Sequence, residues 1–273
     1  MLEQIFIAPK QNTLEDSIAF AQKHQLGLEL PNFMYPNVLM NRHEEIKKYQ
    51  QALSSFKLPV TMHGPVFDVN AVSLDPEIGE LSRQRYEQAI ECALALNARF
   101  LVFHTQWTPI YQVADCYQPW LEGTISFFQS MIQRYVQDTS LTLVLENFLD
   151  PAPNILNDLV SGVNSPHLQA CLDIGHVNLF SKIAPTDWLD SLGSNLAYIH
   201  AHNNWGRLDE HFPLQEGNLD MEGFLMHASL SPHRLQLVVE VLTLEGISQS
   251  LPVLEPYLQQ RQTVLSTAGH YLL

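Results

Sequence analysis

Short apolar runs recur along this chain with longer amphipathic stretches between them, and that alternation limits the fold more than any other property. The runs are Gln4–Ala8, Leu26–Leu30, Val60–His63, Phe100–His104, Leu141–Glu146, Leu168–Asp173, Ala197–His202 and Leu235–Val241. FLVFH, LTLVLE and LQLVVEV are too short for helices and rich in β-formers, which suits parallel strands buried on both faces. Between the runs lie helical patterns: Leu14–Gln25 behind a Thr13 cap, Arg42–Phe56, Leu81–Leu96, Trp120–Gln137, Ile155–Val163, Trp188–Leu192, Met221–Leu230 and Ile247–Leu265. Eight strand–helix units in alternation predict an α/β fold, the closed parallel (β/α)8 barrel. A doubly wound open sheet would carry a phosphate-binding glycine turn after its first strand. IFIAPKQNT has no glycine there. The length of 273 residues fits one such barrel, for which about 250 is typical. No linker, charge run or low-complexity tract divides the chain, so residues 1–273 are expected to form a single domain.

The three cysteines, Cys92, Cys116 and Cys171, are odd in number and far apart, which suits reduced thiols in a reducing compartment. MLEQIFIAPK turns polar too soon for a signal peptide, and no apolar run approaches the roughly 18 residues of a membrane span. A soluble, cytoplasmic protein with no membrane partner is expected. The charged fraction of 16% is low, against a usual quarter, and allows a homo-oligomer. Formal net charge is −15, which opposes an electrostatic grip on nucleic acid. Part of that excess can be local, because acidic metal ligands go uncompensated until a cation is counted with them.

What ends each strand carries the chemistry. Strand three closes on His63, strand four on His104, strand five on Glu146, strand six on Asp173, strand seven on His200 and His202, and strand eight on Glu240. In a barrel these ends converge on one mouth, where such folds do their chemistry. A lone histidine after a strand is ordinarily a satisfied loop or core residue, and a lone acid such as Glu29 on strand two is ordinarily a helix-dipole or salt-bridge partner. Six consecutive strands ending this way outweigh those bland readings, because crowded acids repel unless cations balance them. Asp173-x-x-His176 and Asp209-x-His211 add metal-ligand types beside the same strands. His24, His43, His167, His227, His233 and His270 fall on helices or distant loops and are expected at the surface.

HGPVFDVN, LVFHTQ, LVLENF, CLDIGHVN, HAHNNWGRLDEH with the following QEGNLD, and VVEVL together resemble the xylose-isomerase-like TIM-barrel superfamily, over nearly the whole chain. That superfamily holds sugar isomerases, sugar-phosphate epimerases and the endonuclease IV type of AP endonuclease. The resemblance implies one metal on Glu146, Asp173, His200 and Glu240, as in the epimerases. It implies a second on His63, His104 and a bridging Glu146, and a third on His176, Asp209 and His211, as in the endonucleases. The surroundings differ from the endonuclease pattern. Val66 stands where it has an aromatic residue, DIGH replaces DTCH, and the loop from His200 to Asp209 is shorter. HGPVFD and HxHNNxGxxDxH are closer to the isomerase/epimerase branch.

The expected activity is therefore metal-dependent isomerisation or epimerisation of a small sugar or sugar phosphate, by proton transfer next to a carbonyl. Glu146 and Glu240 would be the acid/base pair, with one to three divalent ions, Zn²⁺ or Mn²⁺. His202 would orient a ligand or substrate. Asn147, Trp107, Phe67 and Trp205 are expected sugar contacts. Arg207 and the Gly217–Asn218 turn, with Asn218 as helix cap, are expected to form an anion site. The alternatives are a multinuclear zinc phosphoesterase and a metal- and ligand-binding barrel without catalysis. Cleavage of abasic DNA needs a basic groove, and the loops near the mouth offer only Arg42, Lys182 and Arg207.

Overall fold

A computed structural model places the apolar runs in one closed barrel. It describes residues 2–113 and 115–268, the side chains of 259–268 excepted. The strands are β1 (Leu2–Ile7), β2 (Gly27–Leu30), β3 (Val60–His63), β4 (Phe100–His104), β5 (Thr142–Glu146), β6 (Leu168–Asp173), β7 (Leu196–Ala201) and β8 (Leu235–Val239). Each pairs in parallel with the next, and β8 pairs with β1 to close the ring. Around it run α1 (Leu14–His24), α2 (Pro36–Met40), α3 (Arg42–Ala52), α4 (Pro76–Ala95), α5 (Tyr117–Met131) and α6 (Asn154–Val163). After them come α7 (Ile174–Phe180), α8 (Pro185–Leu192), α9 (Met221–Ser229) and α10 (Leu244–Ala268). Among the described residues no helix is long and apolar enough to cross a membrane.

The predicted strands fall within two residues of the observed ones, and Thr13 caps α1 by accepting from Asp16 N at 3.1 Å. Helix starts differ more. α4 begins at Pro76 instead of Leu81, because Asp75 accepts from Glu77 N at 2.9 Å and Pro76 fills the first turn. α7 has no counterpart among the predicted helices. It starts directly at the end of β6, where Asp173 Oδ1 accepts from His176 N at 2.8 Å.

Period-2 alternation along the strands sorts the side chains. Leu28, Leu30, Leu101, Phe103, Leu143, Leu145, Leu237 and Val239 join the helices in the main core. Phe6, Val102, Val144, Cys171, Tyr198 and Val238 form a second buried cluster, along the barrel axis. Two residues beyond those axial positions the inward side chain turns polar: His104 follows Val102, Glu146 follows Val144, Asp173 follows Cys171, His200 follows Tyr198 and Glu240 follows Val238. The site is thus the next layer of the same packing.

Among the contacts that hold the segment between β7 and α9 is a buried carboxamide. Asn203 donates to Leu214 O at 2.8 Å and Leu219 O at 3.3 Å, and accepts from Asn204 N at 2.9 Å and Leu219 N at 3.2 Å. Gly217, at φ 154°, lets the chain pass against that group, where a Cβ would collide with Asn203 Oδ1. Each buried polar group left unpaired costs about 1–3 kcal/mol. Asn203→Ala is therefore expected to lose about 3 kcal/mol of stability, measured by urea unfolding. A loss of a few tenths would show that the loop is held by other contacts.

Candidate metal centre

The mouth gathers the strand-end residues into one buried group. Glu146, Asp173, His200 and Glu240 each offer an atom, and these atoms lie within 4.8 Å of one another. His200 Nδ1 is 3.4 Å from Glu146 Oε2, 3.9 Å from Asp173 Oδ2 and 3.2 Å from Glu240 Oε2. Those same four atoms, Glu146 Oε2, Asp173 Oδ2, His200 Nδ1 and Glu240 Oε2, are buried without a hydrogen-bond partner. Buried polar atoms are rarely left so, and four orphans facing one point fit a divalent cation by number and by donor type. Asp173 divides its carboxylate: Oδ1 caps α7, and Oδ2 faces the centre.

The other predicted ligands flank this group on two sides. His63 Nε2 and His104 Nε2 approach Glu146 Oε2 at 3.3 and 3.4 Å. His176 Nε2 and His211 Nε2 approach Asp209 Oδ2 at 3.4 and 3.0 Å. The tautomers are set by backbone carbonyls. His63, His176 and His211 each donate Nδ1–H, to Gly64 O at 3.0 Å, Asn147 O at 2.9 Å and Glu240 O at 2.7 Å. Each then turns Nε2 toward a carboxylate, to which it donates an N–H while protonated and beside which it exposes a lone pair once that proton leaves.

His202 stands between the two sets. Its Nε2 is 3.2 Å from Asp173 Oδ1, its ring stacks on His211 at 3.9 Å, and both its nitrogens are buried orphans. The ring lies on Gly175, where a Cβ would overlap the imidazole. That close approach gives DIGH its glycine.

Burial disfavours charge on Glu146, but the imidazoles of His200 and His104 beside it hold its carboxyl well below the usual range. Glu240 behaves likewise, with burial opposed by Lys10, His200 and His211. At His176 burial is outweighed by Asp173, Asp209 and Glu146, so its pKa stands well above the ordinary value. His63 is also raised against burial, by Glu146, and His202 by Asp173. At His104 burial prevails and lowers it.

Several expectations need correction. Asn147 supports a candidate ligand residue rather than a sugar: it is fully buried, donates to Asp173 O at 2.9 Å and accepts from Asp173 N at 2.8 Å. Trp107 is buried in the helix–strand core. Asn218 is not the cap of α9, because Asp220 Oδ1 accepts from Gly223 N at 3.0 Å. A carboxylate already on that helix start opposes the anion site expected there, and Arg207 is exposed nearby. Arg42 pairs with Glu91 of α4 at 2.6 Å, away from the mouth. Of the histidines expected at the surface, His43 is exposed and His24, His167, His227 and His233 are half-buried, while His270 lies outside the described residues. Phe67 and Trp205 keep exposed faces, Phe67 stacked on Tyr35 at 5.5 Å.

Two residues of the site are not among those that the sequence assigns to it. Lys10, just past β1, places Nζ 2.8 Å from Glu240 Oε1. Glu29 is fully buried and bonds Tyr198 and His200. Both sit at or just past strand ends, the same signal that marks the others.

Residues 20–254 match the family described as Xylose isomerase-like TIM barrel. The uncharacterized protein MJ1311 of Methanocaldococcus jannaschii is 24% identical over 223 residues, covering 79% of this chain and 75% of its own. Three solved structures share the fold. A D-tagatose 3-epimerase-like protein has a TM-score of 0.77 at 21% identity, over 96% of this chain and 99% of its own. The TTHB071 protein of Thermus thermophilus, soaked with ZnCl2, has 0.72 at 22%, over 92% and 97%. A family 2 AP endonuclease of Brucella melitensis has 0.70 at 15%, over 94% and 99%.

Two outcomes are expected. Gly175→Ala must displace His202, and should lower the number of zinc ions retained after dialysis while leaving the far-ultraviolet spectrum unchanged. Metal uptake must also expel protons from His63, His176 and His202, whose raised pKa values keep them protonated to higher pH. Apparent Zn²⁺ affinity should therefore climb as pH rises through neutrality, with proton release visible in two buffers of different ionisation enthalpy. A pH-independent isotherm would contradict it.

Proposed function

Because the chain belongs to the xylose isomerase-like TIM-barrel family, we propose that its mouth is a divalent-metal-dependent isomerase or epimerase site for a small sugar or sugar phosphate. The observation that carries this is the set of four mutually facing, unpartnered buried atoms on Glu146, Asp173, His200 and Glu240. These four residues would hold the ion, Zn²⁺ or Mn²⁺, which when bound supplies Lewis-acid polarisation of substrate oxygens.

The chain's own residues do the rest. Glu146 and Glu240 flank His200 Nδ1 from two sides, and move the proton at the carbon beside the carbonyl. Lys10 adds a feature on the Glu240 side. Its ammonium holds Oε1 while Oε2 faces the centre, so Glu240 stays ionised as a base and Lys10 is a proton donor beside it. The exposed faces of Tyr35, Phe67 and Trp205 supply apolar surface for a sugar ring at the rim. The likeness to sugar epimerases agrees with that substrate class.

A second reading has its own support. His63 and His104 on one side, and His176, Asp209 and His211 on the other, are aimed as a multinuclear phosphoesterase centre would need. Few basic residues surround it. Deuterium wash-in distinguishes the two. Metal-loaded protein, given a panel of ketoses, aldoses and their phosphates in heavy water, should exchange the hydrogen beside the carbonyl. Glu146→Gln should reduce that exchange by about 10²–10⁴-fold. Efficient metal-dependent incision of an abasic duplex, without wash-in on any sugar, would reverse the order of the two readings.

A further inference from the structure

His200 is turned the opposite way from its neighbours. His63, His176 and His211 fix their tautomers by giving Nδ1–H to backbone carbonyls, leaving Nε2 toward the carboxylates. His200 instead aims Nδ1 at Glu146, Asp173 and Glu240, so Nε2 points back down the barrel. There it meets Glu29 Oε2 at 3.3 Å.

Glu29 is itself held. Tyr198 Oη lies 2.8 Å from Glu29 Oε2 and 2.7 Å from Thr61 Oγ1. A hydroxyl carries one proton, so Tyr198 donates to the carboxylate and accepts from Thr61. Glu29, Thr61, Tyr198 and His200 are all fully buried, on strands β2, β3 and β7. The other oxygen, Glu29 Oε1, has no hydrogen-bond partner among the described residues. A buried carboxylate with half its acceptors unused is costly. An apolar side chain there would match the axial cluster of Phe6, Val102 and Val238. Packing alone therefore does not account for a glutamate.

We propose that Glu29 is a positioning residue: it accepts the Nε2–H of His200, locks that tautomer, and so commits Nδ1 to the divalent ion. The proposal rests on the four-residue centre described above. A carboxylate behind a metal-bound imidazole fixes the ring and raises its basicity, and loss of such a partner typically costs about 10–100-fold in metal affinity. Glu29 does for His200 what carbonyls do for the other three, at a histidine whose second nitrogen faces the barrel interior.

The test uses the full-length protein stripped of metal, then titrated with Zn²⁺ by calorimetry, and in parallel loaded with NMR-active cadmium after nitrogen labelling of histidine. Wild type should show cadmium coupled to His200 Nδ1, with a slowly exchanging Nε2 proton. Glu29→Leu should weaken the Zn²⁺ site by about 10–100-fold and lose that single coupling pattern. Glu29→Gln keeps an acceptor oxygen and should restore Nδ1 coordination and most of the affinity. Tyr198→Phe, which removes one bond to the carboxylate, should fall between, and it covers the case in which Glu29→Leu fails to fold. Cadmium coupled to Nε2 in wild type would overturn the proposal. So would undiminished Zn²⁺ affinity in a folded Glu29→Leu or, should that variant not fold, in Tyr198→Phe. Failure of wild type itself to take up zinc at Glu146, Asp173, His200 and Glu240 would instead remove the centre on which the proposal stands.

Discussion

The mouth is governed by the cost of packing like charges. Glu29, Glu146, Asp173 and Glu240 are each at most 2% exposed. Two unit charges about 4 Å apart interact by about 4 kcal/mol at an effective dielectric near 20. Several such pairs would exceed the stability of an ordinary domain, about 5–15 kcal/mol. The site holds together because every carboxylate has an imidazole or an ammonium against it. Glu146 meets His63, His104 and His200, while Glu240 meets Lys10 and His200. Asp173 meets His176 and His202, and Glu29 meets His200.

That arrangement follows from the barrel. Closure brings eight strand ends to one axis, and alternation decides which side chain of each pair looks inward. Val144 and Glu146, or Cys171 and Asp173, differ only by one repeat of the pleat. Below the change of layer the interior is mainly apolar, with Glu29, Thr61 and Gln236 as buried polar exceptions; above it nearly every inward residue is ionisable. The loops then hold what the strands present. Asn147 grips the backbone of Asp173, and Asn203 fastens the segment that carries Asp209 and His211.

The strand-end residues are legible in the sequence because each needs only a period and a position, both local. Glu29 and Lys10 are not, although they obey the same pattern. A lone acid on GLEL reads as a salt-bridge partner, which it is, but the partner is His200, 171 residues away, and only the fold brings the two together. Trp107 and Asn147 follow strands as the ligands do, but whether such a side chain faces solvent or core depends on how its loop turns. The α9 cap fails for a different reason. Asn218 and Asp220 are both good caps two residues apart, and Asn178 and Asn204 engage Asn218 from elsewhere in the fold. α7 is hidden because Asp173 ends a strand and begins a helix with no intervening residue.

Lys10 has one more consequence. The ammonium binds Glu240 Oε1 and leaves Oε2 toward the centre, so holding a dication on Oε2 would not require the pair to break. A pocket lined only with acids would swell or protonate each time its ion departed. This one carries a covalently tethered cation that limits the disturbance. On the function proposed above, loading and unloading would be exchange within a frame that this pair helps to keep in shape.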